Sequence, residues 1–115
     1  MSERKPELLL ADILEAANKI LKYVKNYSYE QFINEPKTSD AVIRNFEVIG
    51  ETAKRLPEDF KTKQTKVDWQ RMQGFRNRIV HDYFGIDYSI VWKIIKDYLP
   101  SLVDSIQEIK KDKTL

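Results

Sequence analysis

The feature that most constrains this chain is the apolar rhythm of its last third. Ile90, Val91, Ile94, Ile95, Tyr98, Leu99, Leu102, Val103, Ile106 and Ile109 keep returning at steps of three and four. Such spacing lines one face of a helix with 3.6 residues per turn; a strand would need alternation instead. Pro100 sits inside the pattern without the N–H that the preceding turn needs, so a kink or interruption is expected there. Asp87, just ahead of the run, is placed to open it.

The rhythm recurs toward the N-terminus. Leu10, Ile13, Leu14, Ala17, Ile20, Leu21 and Val24 predict a long amphipathic first helix, with Pro6 suited to its first turn. The segment from Ser28 to Glu35 reads as a short helix capped by Ser28 and closed by Pro36. Thr38 or Ser39 then caps a third helix that runs to about Arg55, where Leu56-Pro57 stops it; its buried stripe is Val42, Phe46, Ile49 and Ala53. Residues 57–66 read as a charged connector. Asp68 caps a fourth helix carrying Met72, Phe75 and Ile79, with Val80 at the margin of its apolar side and Gly85 placed to end it. Three glycines, four prolines and no sustained alternation complete the case. The expected fold is all-α, an up-and-down bundle of four long helices plus a short one, forming a single domain over residues 1–115.

Composition narrows the chemistry. At 42% hydrophobic and 33% charged residues, the chain is of the globular and not the disordered type. It has no cysteine and one histidine, which removes disulfides, thiolate chemistry and a closed zinc site within one chain. Nothing approaches the roughly 20 apolar residues needed to cross a bilayer. The start, MSERKPELLL, turns acidic at Asp12 and Glu15 and makes a poor signal peptide, so a cytoplasmic location without membrane association is expected. The net charge is only +2, yet residues 61–78 hold six bases (Lys61, Lys63, Lys66, Arg71, Arg76 and Arg78) against one acid, Asp68. A patch of that kind attracts polyanions, although a solvated helix face is the plainer reading of a charge run.

That basic run leads into RNRIVHDYFG, residues 76–85, which contains the lone histidine. On its own, His81 near a helix end needs no function, because its charged form is favoured by the helix dipole. Its setting says more. Arg76-Asn77-Arg78-Ile79-Val80-His81-Asp82-Tyr83 resembles the Arg-x4-His-x-Tyr signature of HEPN domains, in particular the HepT-like branch of toxins encoded beside minimal nucleotidyltransferases. DAVIRNFEVIGETAKRL (Asp40 to Leu56) is similar to that branch's third helix, and HDYFGIDYSIVWKIIKDYLP (His81 to Pro100) to its helix end, turn and last helix. LLLADILEAANKILKYV matches the first helix more loosely, so the resemblance covers nearly the whole chain.

The resemblance implies metal-independent RNA cleavage with no cofactor. The ribose 2′-hydroxyl attacks the adjacent phosphorus and leaves a 2′,3′-cyclic phosphate and a 5′-hydroxyl. A proton shuttle near neutral pH suits histidine, and charge growing on phosphate oxygens suits the planar fork of arginine. By position, His81 becomes the acid/base, Arg76 the phosphate clamp and Asn77 an orienting partner, with Arg78 an additional contact for RNA. Tyr83 is a weak base at its usual pKa near 10, so positioning RNA suits it better. The resemblance further implies that a cognate nucleotidyltransferase antitoxin transfers AMP to Tyr83, which would place negative charge and bulk where the RNA phosphate must bind.

Geometry adds a demand of its own. On an unbroken helix, Arg76 and His81 point about 140° apart, so they do not converge on one phosphate. Asn77 and His81 do share a face, as do Arg76 and Tyr83. Either the helix loosens before Gly85, or two chains complete one composite site. The second solution, a homodimer, also supplies two histidines for two proton transfers, and the resemblance implies dimers with facing motifs. On the third helix, Asp40, Arg44, Glu47 and Glu51 form one polar stripe. It is either an exposed face tied by pairs such as Asp40 with Arg44 and Glu51 with Arg55, or a border of the cleft in which Arg44 and Glu47 orient Arg76 or His81. Trp69 and Trp92 read as core or interface anchors. Phe75 departs from the aliphatic residue or methionine that the resemblance leads one to expect just before the motif. The leading reading is a homodimeric endoribonuclease toxin. The rivals are a non-catalytic HEPN module that binds nucleotide or scaffolds a nucleotidyltransferase, and a plain helical dimerisation protein.

Overall fold

The computed structural model describes residues 4–75, 79 and 85–111. Seven helices and no strand occur among the described residues, and none of those helices is long and apolar enough to cross a membrane. The all-α expectation therefore holds.

Helix α1 spans Pro6–Tyr23, with Pro6 in its first turn and Leu9, Leu10, Ile13, Ala16, Ala17 and Ile20 buried. Leu14 and Leu21, expected inside, are only partly covered. Helix α2, Tyr29–Asn34, is closed reciprocally at its N-terminus: the Gln31 N–H donates to Ser28 Oγ at 3.1 Å, and the Ser28 N–H donates to Gln31 Oε1 at 3.0 Å. This capping box satisfies two amide donors that a short helix would otherwise leave open.

Helix α3, Pro36–Arg55, starts earlier than the residue types suggest. Pro36 opens it instead of closing α2 alone, because a proline ring has the right φ for a first turn and lacks an N–H that would go unpaired there anyway. Thr38 and Ser39 are consequently inside the helix and not at its cap, with both their N–H groups donating to the Glu35 carbonyl at 3.0 Å. The predicted stripe Val42, Phe46, Ile49 and Ala53 is fully buried.

The stretch expected to be a connector contains a helix of its own: α4, Glu58–Lys63, with Pro57 as its N-cap. Apolar periodicity does not mark it, since Phe60 is its one inward apolar residue, ring to ring with Trp69 at 6.1 Å. Asp68 caps α5, Trp69–Gln73, by accepting the Arg71 N–H at 3.0 Å. Asp87 caps α6, Tyr88–Asp97, accepting from the N–H groups of Ser89 and Ile90. Helix α7, Leu99–Lys111, follows after a break at Tyr98. Pro100 accounts for that break: it has no N–H to offer the Lys96 carbonyl, while the Tyr98 carbonyl accepts both the Leu102 N–H at 3.1 Å and Ser101 Oγ at 2.8 Å.

Helices α1 and α3 form the main pair, α7 packs on α1, and α2 and α5 close on α3. Gly50 suits the place where α5 crosses α3, since a Cβ there would meet the Met72 carbonyl oxygen at a tight 3.3 Å. The core thus lies under α5, the element that leads into residue 76.

Candidate active site

Arg76, Asn77, Arg78, His81 and Tyr83 lie outside the described residues, as does Val80. The parts that hold the segment at both ends are described. Phe75, immediately before Arg76, is fully buried and stands edge-on to Phe46 of α3 at 5.4 Å and to Tyr98 at 5.6 Å. The unexpected aromatic at 75 therefore has a packing reason: it fills the space between α3 and the joint of α6 and α7. Edge-to-face rings attract beyond the area they bury. Ile79, between the arginines and the histidine, is 2% exposed.

The exit is fixed as firmly. The Asp87 N–H donates to the Ile79 carbonyl at 2.8 Å, so the chain on either side of residues 80–86 is tied together. Gly85 has φ +84, in the left-handed region that a helix-ending glycine favours, and a Cβ there would touch nothing within 4 Å. Glycine is needed at 85 for its backbone and not for space. One residue, Asp87, both ties the segment to Ile79 and caps the helix that follows. Its capping role was readable from its position before an apolar run; the tie to Ile79 was not, because it joins two backbone groups.

The stripe on α3 is solvent-facing along the part shown. Arg44 pairs with Glu47 at 3.6 Å, and both side chains are exposed. Among the described residues Arg44 does not pair with Asp40, nor Arg55 with Glu51; three-residue spacing took the arginine instead. The structure brings this stretch of α3 beside the entrance to the motif through the Phe46–Phe75 contact, while any contact with Arg76 or His81 falls outside the described residues.

Among the described residues, the basic run does not form one patch. Lys61 is buried, with Nζ 3.1 Å from Glu58 and 3.5 Å from the Ala53 carbonyl at the end of α3. Lys66 pairs with Glu108 at 2.8 Å, and that ammonium holds the Glu108 carboxyl below its ordinary pKa. Arg71 lies over the Tyr98 ring, 4.3 Å from its centre. Burial raises the Tyr98 hydroxyl pKa, against which the Arg71 charge acts in the lowering direction. Sequence alone gave no sign that Tyr98 links Arg71 to Phe75. The two tryptophans behave as anchors: Trp69 is 6% exposed with Nε1 donating to the Gln64 carbonyl at 2.8 Å, and Trp92 packs on Phe32 at 5.2 Å.

Comparison with known proteins agrees with this frame. The family described as Ribonuclease HepT-like matches residues 13–109. The protein named "Putative RNase MJ1380" of Methanocaldococcus jannaschii is 41% identical over 107 residues, covering 93% of this chain and 98% of the relative. Another from that organism, "Putative RNase MJ0127", is 40% identical over 112 residues, covering 97% and 93%. The "Probable ribonuclease HepT" of Thermococcus cleftensis is 37% identical over 102 residues, covering 89% and 93%. No solved structure matches the chain. The helical bundle and the Arg-x4-His-x-Tyr motif between α5 and α6 define a HEPN domain of the HepT-like type. The chain belongs to the HepT-like ribonuclease family.

Proposed function

We propose that this chain, as a single domain, is a metal-independent endoribonuclease that works as a homodimer in the cytoplasm. The observation that carries the reading is the motif Arg76-x4-His81-x-Tyr83 in a chain of this family, bracketed by the buried Phe75 and the Ile79–Asp87 tie. Proton transfer and charge stabilisation need groups held in place, and the described residues on both sides of the motif are themselves packed or hydrogen-bonded.

In this reading His81 takes the proton of the ribose 2′-hydroxyl as that oxygen bonds to phosphorus. The 5′-oxygen of the next nucleotide leaves and collects a proton, which the second histidine of the dimer supplies. Arg76 holds the phosphate oxygens as charge grows on them. Asn77 orients His81 by hydrogen bonding, and Arg78 and Tyr83 position the strand. Arg44 and Glu47 act from α3 as supports and do not touch the reacting atoms. A minimal nucleotidyltransferase antitoxin silences the toxin by AMP transfer to Tyr83.

The test is the chemistry of the cut ends. RNA cleaved by the purified chain should carry a 2′,3′-cyclic phosphate on one fragment and a 5′-hydroxyl on the other. Fragments with 3′-hydroxyl and 5′-phosphate ends would exclude attack by the 2′-hydroxyl. Uncut RNA from a protein whose intact mass shows no added AMP would favour the binding-module rival.

A further inference from the structure

We infer that Arg71 forms a second RNA-phosphate subsite beside the motif; this rests on the ribonuclease reading above and extends its substrate contacts. Three observations converge on this residue. Its side chain is exposed, and among the described residues no carboxylate lies within ion-pair distance of its guanidinium, unlike Lys61 and Lys66 of the same basic run. Its sequence neighbour Asp68 directs Oδ1 to the Arg71 backbone N–H at 3.0 Å. The guanidinium is also held in place, 4.3 Å from the centre of the Tyr98 ring.

A guanidinium lying on a ring keeps its edge N–H donors available while its face is occupied, and it has already lost much of the rotamer freedom that binding would otherwise remove. The chemistry that matches such a group is a phosphate diester, which accepts two donors from a planar fork. Placement supports the same ligand. Tyr98 stands against Phe75 at 5.6 Å, and Phe75 directly precedes Arg76. Arg71 is therefore two ring contacts from Phe75, the residue that precedes the proposed phosphate clamp in sequence. A strand bound at the motif carries phosphates on either side of the one that is cut, and the subsite takes one of them. Tyr98 is a positioning residue in this arrangement.

The test measures binding of a fluorescein-labelled, mixed-sequence single-stranded RNA to the full chain carrying His81→Ala, so that the RNA stays intact. Arg71→Ala in that background should weaken affinity about tenfold, as expected for one charge-assisted contact. It should also reduce the slope of log affinity against log salt by about 0.7, the share of one phosphate on a single strand. Lys66→Ala removes the same charge from the same run but only a lysine already paired with Glu108, and it should bind as the parent does. Unchanged affinity and slope in Arg71→Ala would overturn the subsite, as would equal losses in the two variants. Absence of RNA binding by the His81→Ala parent would sink the ribonuclease reading and the subsite together, which sets that failure apart from one confined to Arg71. Circular dichroism melts of each variant identify any loss that comes from unfolding.

Discussion

In the proposed reaction a guanidinium at position 76 does one thing, which is to hold oxygens that become more negative as the reaction proceeds. Removing it should therefore act on kcat more than on binding. Arg76→Ala is expected to lower kcat by about 10²-fold or more, the scale of a lost transition-state donor, as read from single-turnover cleavage. Gly85 makes a purely conformational demand. With φ +84 and open space around a new Cβ, Gly85→Ala should destabilise the fold by about 1–2 kcal/mol through backbone strain alone, measured by denaturant midpoint. An unchanged midpoint would mean that the backbone at 85 relaxes freely. Arg76, Asn77, Arg78, His81 and Tyr83 were proposed from type and order, because their candidate chemistry lies in side chains close together in sequence. Tyr98 and the Asp87 backbone were not, because each acts on a residue far along the chain.

Elements set the frame in which those residues stand. Phe75 joins α3, α5 and the α6–α7 joint in one stack of rings, with Phe46 and Tyr98 as its partners. Phe75→Ala would leave a cavity at that junction and should cost about 3–5 kcal/mol of stability. Phe75→Leu should cost much less while still disturbing cleavage, since the ring contacts that hold the motif's entrance are lost. Cleavage by Phe75→Leu equal to the parent would show that packing at 75 does not position the motif. The helices that carry a dense apolar stripe, α1, α3, α6 and α7, were predictable from spacing, and so was the break near Pro100. Helix α4 escaped because its stability comes from few inward residues: Phe60 against Trp69, and Lys61 bonded to Glu58 and the end of α3. The start of α3 was misplaced because Pro36 can end one helix and begin another. The basic run looked continuous in sequence, and folding divided it among structural contacts.

At the scale of the whole molecule, the account turns on number. One chain offers a single histidine, and on a regular helix that histidine faces away from Arg76. A pair of chains supplies two proton carriers and lets the motifs complete one another. Sedimentation at working concentration should show a dimer, and dilution below its dissociation constant should lower the specific rate of cleavage in parallel. A monomer with full activity would remove the composite site. The central claim is that His81 carries the chemistry and that no metal ion does. Its most direct test is the rate of RNA cleavage in excess EDTA, measured for the parent chain and for His81→Ala. The account predicts that the parent cuts undiminished and that the variant does not cut while keeping its fold. Cleavage abolished by EDTA, or retained by His81→Ala, would contradict it.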